Sequence, residues 1–227
     1  MKAHKKRILW TAAFFVGIII FSGIGITYDT AAASTTKKYQ KAYQEFLSEP
    51  KIPWGEKKIN TKNLYYLLFD VDHNGIPELF LKNPKAEGQE NSVQIYSFSR
   101  KKNQVKLLYE TSSRIYVYEN QSLICFVGEM TGLNFTNYCI LKGCRMEKKL
   151  SMTGIIVKEM LLPGTEVLEV APGNADTIYF YFFKAGEEVI DRDEAELLVR
   201  EMEKDNKVIS IGTYQKNTKK NRNQISW

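Results

Sequence analysis

Phe69-Asp70-Val71-Asp72-His73-Asn74-Gly75-Ile76-Pro77-Glu78-Leu79 sets oxygen-bearing side chains at alternate positions of a short polar stretch between two apolar segments. That is how a chain wraps a hard cation. Asp70, Asp72 and Asn74 supply loop positions one, three and five, Ile76 a backbone carbonyl at seven, and Glu78 a carboxylate at nine. Gly75 stands sixth, where the backbone must turn sharply and a Cβ is unwelcome. A plain Asn-Gly hairpin turn needs none of the three carboxylates, and gathering them costs repulsion unless a cation offsets it. The expected metal ligands are therefore Asp70, Asp72, Asn74, Ile76 and Glu78. Outside a cell, a flexible cage of carboxylates and carbonyls suits Ca²⁺ better than Mg²⁺, so the expected cofactor is a structural calcium ion.

Working outward, both flanks of the loop alternate with period two, predicting strands at residues 65–69 and 78–82. Further strands are expected at 93–99 and 104–109, at 114–119 and 122–127, and at 137–141 and 145–150. Others follow at 155–158, 166–170 and 177–183. Before them, Tyr39, Ala42, Tyr43, Phe46 and Leu47 recur at helical spacing, predicting an amphipathic helix over 36–48 with N-caps among Ser34, Thr35 and Thr36. After them, Ala195, Leu198, Val199 and Met202 mark a second helix, opened by the capping box Asp191-x-x-Glu194. The expected fold class is α+β: an antiparallel β meander with an N-terminal and a C-terminal amphipathic helix. Residues 50–63 read as a polar connection, and 211–227 as a basic, solvated tail.

The N-terminus accounts for half of the net charge of +6, since Lys2, Lys5, Lys6 and Arg7 face only Asp29 there. The mild excess elsewhere is a poor argument for nucleic-acid binding. A basic start, an apolar run of about 21 residues from Ile8 and the small-residue stretch Ala31-Ala32-Ala33 form an export segment. Residues 1–33 are thus either a cleaved signal peptide or a retained membrane anchor, because the run is long enough to span a bilayer. Either way, residues 34–210 are expected as one extracellular domain, secreted or held at the outer membrane face.

The pattern Asp70-x-Asp72-x-Asn74-Gly75-x-x-Glu78 resembles the short calcium loops of integrin-type FG-GAP repeats, written DxDxDGxxD, with Asn74 and Glu78 departing from it. Strands rather than helices flank it, and Leu81 stands where an EF-hand needs a glutamate. The order of elements also resembles a group of small exported proteins of Gram-positive bacteria, in which a short helix precedes a Phe-Asp-x-Asp-x-Asn-Gly-x-Pro-Glu-Leu segment. The resemblance implies export and calcium, and no activity.

Catalytic residues are not evident. His73 is the only histidine beyond the export segment, so a serine or cysteine nucleophile would have to rely on it, and a His-rich zinc site is excluded. Arg114, Tyr116 and Tyr118 share one strand face and form a possible ligand-binding platform, or else cover the sheet beneath a helix. Cys125, Cys139 and Cys144 allow one disulfide at most, a 139–144 bridge requiring a four-residue loop, or three buried thiols. The expected function is an exported calcium-binding structural or ligand-binding module with an extracellular or cell-surface partner and no nucleic acid. The alternatives are a cell-envelope hydrolase using a carboxylate pair and a membrane-anchored partner-binding ectodomain.

Overall fold

A computed structural model describes residues 28–86, 92–130, 133–155 and 180–225. After α1 (Tyr28–Ser48) come the hairpin of β1 (Lys51–Trp54) and β2 (Lys57–Asn60), then β3 (Tyr65–Phe69), β4 (Glu78–Lys82), β5 (Val93–Ser99) and β6 (Gln104–Thr111). The chain continues through β7 (Arg114–Tyr118), β8 (Leu123–Met130), β9 (Leu133–Lys142), β10 (Arg145–Ile155), β11 (Phe180–Ala185) and β12 (Glu188–Ile190). It closes with α2 (Arg192–Glu203), the short β13 (Val208–Ile209) and β14 (Gln215–Lys216), and a single turn, α3 (Lys219–Arg222). The expected export segment lies outside the described residues up to position 27. So do the expected strand at 166–170, most of that at 155–158 and the start of that at 177–183. No described helix is long and apolar enough to cross a membrane.

Among the described residues the strands form three antiparallel sheets, of two, five and seven strands, and the fold is mainly β. This corrects the α+β expectation of one meander lying under two helices. The meander breaks between β6 and β7, giving sheets in the orders β14-β3-β4-β5-β6 and β12-β11-β10-β9-β8-β7-β13. The two sheets bury a shared core. Leu67, Val71, Phe80, Val93 and Ile95 meet Val117, Ile124, Phe126, Cys139 and Leu141 there. Tyr109 and Phe126 stack across it at 4.3 Å. Sheet-on-sheet packing, rather than helix-on-sheet packing, is therefore the central contact.

The helices cover the two outer faces. Tyr39, Tyr43 and Leu47 of α1 pack on Leu64, Tyr66, Leu79, Leu81 and Tyr96. Ala195, Leu198, Val199 and Met202 of α2 pack over Tyr118, Leu123, Cys125, Tyr138 and Leu150. Strand β4 is thus buried on both faces, with Phe80 turned to the other sheet and Leu79 and Leu81 turned to α1. The expected cap on α2 is present: the Asp191 side chain accepts from the Glu194 amide at 2.8 Å. Helix α1 begins earlier than the expected residue 36, because Ala31-Ala32-Ala33 has the highest helical propensity and nothing in it stops the helix.

The stretch expected as a polar connection instead holds the β1–β2 hairpin, with Ile52 and Trp54 in the core under α1. The C-terminal segment is also folded onto the body. β13 pairs with β7 and β14 with β3, so the same short stretch ties into both large sheets. Beyond it, the Asn217 amide donates to the Leu47 and Thr61 carbonyls at 2.9 Å each, and Ile225 is buried in the α1 core.

Two contacts yield predictions. One oxygen of Glu203, at the end of α2, accepts from both Tyr118 Oη at 2.5 Å and Tyr138 Oη at 2.8 Å. This clasp holds α2 to its sheet, and burial together with the Glu203 contact holds the Tyr138 hydroxyl well above the usual tyrosine range. Glu203→Ala strands two hydroxyls, so we expect a loss of about 1–3 kcal/mol, read as a lower urea midpoint with an unchanged slope.

The three cysteines are free. Cys125 faces the α2 side and Cys139 the inter-sheet core, while Gly143 and Cys144 form the two-residue turn between β9 and β10. No bridge forms between residues 139 and 144, because Cys139 sits opposite Lys148. Burial pushes the Cys125 thiol up to about 12 and the Cys139 thiol up to about 11. Iodoacetamide at mildly alkaline pH should therefore label Cys144 alone in the native protein and all three after denaturation. Native labelling of Cys125 or Cys139 would contradict this packing.

Candidate metal centre

Strands β3 and β4 pair with Phe69 opposite Glu78, so residues 70–77 form the connection between them. Glu78 opens β4 on the same face as Phe80, and its side chain points into the end of the inter-sheet space, fully buried. The loop curls back over it, and the Val71 amide donates to Glu78 Oε2 at 3.1 Å. Asp70 shapes the curl, its two oxygens accepting from the Asn74 amide at 3.1 Å and the Gly75 amide at 2.8 Å. Gly75 has a φ of +81°, in the left-handed region that sequence reading reserved for a residue without Cβ.

The other sheet supplies a contact that the sequence does not announce. The Gly143 amide, in the β9–β10 turn, donates to Asp72 Oδ2 at 2.6 Å. From the α1 side, Tyr43 Oη donates to the Pro77 carbonyl at 2.8 Å, and Ile76 buries its side chain in the same core. Arg100 donates to the Asn74 carbonyl at 2.9 Å, and His73 Nε2 lies 3.1 Å from the Glu119 carbonyl. The loop is therefore the point where α1 and both large sheets meet.

Ligand oxygens of Asp70, Asp72 and Glu78 all lie within 4.8 Å of one another, a cluster that could hold a metal ion. Two of the buried oxygens, Asp72 Oδ1 and Glu78 Oε1, have no hydrogen-bond partner. Orphaned buried carboxylate oxygens are costly, and either a proton or a cation would satisfy them. Burial, opposed by the Val71 amide and the Ser97 hydroxyl and reinforced by Asp72 and Asp70, pushes the Glu78 carboxyl up to about 8. The donor set is made only of oxygens, which suits a hard cation.

Of the five expected ligands, the three acids are gathered. The Asn74 side chain is turned to its own loop, with Oδ1 accepting from the Ile76 amide at 2.8 Å, and Ile76 anchors the loop through its side chain. Sequence reasoning could not find Gly143, Tyr43 or Arg100 as loop partners, because their proximity arises only from the packing of separate elements.

The expected aromatic platform is split. Arg114 is exposed and Tyr116 half-buried, while Tyr118 is 7 % exposed beneath α2 and bound to Glu203. Comparison with models of known protein families, with curated proteins and with solved structures gives no match.

Proposed function

We propose that this protein is an exported structural or ligand-binding module in which a calcium ion, held by Asp70, Asp72 and Glu78, fastens the two sheets and α1 together. The observation that carries the reading is the pair of partnerless buried oxygens on Asp72 and Glu78. The ion would satisfy them, cancel the repulsion of three clustered carboxylates, and fix a loop bonded to both sheets. Its role is structural: each acid of the cluster already accepts from backbone amides of the fold, and the neighbouring histidine bonds a carbonyl. Calcium is favoured over magnesium because the loop offers a flexible, anionic cage rather than a compact octahedral one. The basic and apolar N-terminus supports export, where calcium is abundant, and leaves attachment to the outer membrane face as the alternative to release.

Isothermal titration calorimetry of the chelator-treated protein tests the reading. We expect one calcium site with a Kd of about 10⁻⁴ to 10⁻³ M, the range of extracellular modules, and at least about ten-fold weaker magnesium binding. Absence of calcium heat well above that range, or tighter binding of magnesium, would overturn it.

A further inference from the structure

Strand β6 is an edge of the five-stranded sheet, and beside it the β9–β10 turn of the other sheet leaves a groove of about 610 Å³. Leu107, Leu108 and Met146 supply its apolar surface, Leu107 being 41 % exposed. Lys106, Lys142 and Arg145 supply cations, and the single acid on the lining, Glu147, is already ion-paired with Lys149. The Lys106 ammonium also donates to the Cys144 carbonyl at 3.3 Å, which ties the two walls together. An apolar floor of this volume with cations at its rim has the composition of a small-molecule site for an anionic, partly apolar ligand.

We infer that this groove binds a small anionic molecule with an apolar body, the class of a medium-chain carboxylate or alkyl phosphate. The inference stands apart from the metal centre, since none of its residues is among the clustered acids. Addition of a peptide strand to the β6 edge is disfavoured by the edge itself. Ile95 faces Tyr109 whereas Tyr96 faces Leu107, so Leu108 is an extra residue and bulges the strand. A bulge and a lysine on an edge strand oppose pairing with another strand. The bulge also sets Leu108 against the inter-sheet core while Leu107 remains outward, which lends the groove its apolar lining.

Cys144 lines the same groove and is half-buried, whereas Cys125 and Cys139 are buried, so its thiol reports occupancy. The experiment uses the full chain and follows Cys144 modification by peptide mapping, with a neutral aromatic disulfide, 4,4′-dithiodipyridine, as reagent. Octanoate and octyl phosphate are the probes, and an acidic peptide of similar charge is the comparison. We expect saturable protection by octanoate or octyl phosphate. The double variant Lys142→Met, Arg145→Met should need about ten-fold more probe, because two exposed cations are lost while the apolar stems remain. In that variant Cys125 and Cys139 should stay unmodified, which shows that the fold is intact. Failure of both probes to protect, equal protection in the variant, or protection by the acidic peptide alone would each overturn the inference.

Discussion

Phe80→Ala is expected to lower the unfolding free energy by about 3–5 kcal/mol, the largest loss of any single truncation argued for this chain. Phe80 is fully buried in the inter-sheet core, with Leu67 and Ile95 opposite it on the neighbouring strands and Ile124 and Phe126 in the same core cluster. Removing the ring forfeits its transfer free energy and leaves a void that two rigid sheets cannot close. Chemical denaturation of the variant beside Leu198→Ala checks the architecture as well as the number. Leu198, on the inner face of α2, is only partly buried against its sheet, so it should cost clearly less. A sheet whose core lay under its helices would give the opposite order. A loss below about 1 kcal/mol at Phe80 would mean that the sheets do not pack on each other.

That contrast bears on how far the sequence was legible. Strands β3, β4 and β5 begin and end where the sequence places them, because polar and turn-forming residues bound each apolar-rich run. Their grouping into two sheets was not legible from alternation alone. In β4 the run Leu79-Phe80-Leu81 is apolar throughout, the signature of a strand covered on both faces. Read as a strand under one helix, it gives a single meander; read as a strand between a helix and a second sheet, it gives the observed sandwich. The β1–β2 hairpin was hidden for a different reason. Pro53 and the lysines around it depress strand propensity, yet an isolated two-stranded sheet tolerates a proline at its edge and needs only Ile52 and Trp54 to reach the core. In the C-terminal segment, charge was the misleading signal. The lysines there do face solvent, and the segment is held instead by Asn217, Ile225 and backbone pairing to β3.

The acidic loop was legible because its ligand spacing is local, whereas the partners that fix it are not. Asp72 meets Gly143 across 71 positions of sequence, and Tyr43 reaches Pro77 across 34. Local chemistry therefore named the carboxylates, and only the packing of the sheets revealed that two of their oxygens are left without donors.

Those two oxygens set the second large effect. At calcium concentrations about ten to a hundred times the expected Kd, mass action stabilises the folded form by about 1.4–2.7 kcal/mol. For a domain of this size that is a rise in melting temperature of roughly 3–10 °C relative to excess chelator. Glu78→Gln separates this effect from simple damage to the loop. The glutamine keeps the volume and can still accept from the Val71 amide, so it retains the contact that closes the loop. It removes the buried charge that otherwise needs either a proton or a cation. In chelator, the variant should melt at or above the wild-type temperature, and in calcium it should show no rise. A variant that is destabilised in chelator and still responds fully to calcium would place the ion elsewhere, and the loop would then be a turn whose acids serve only its own backbone.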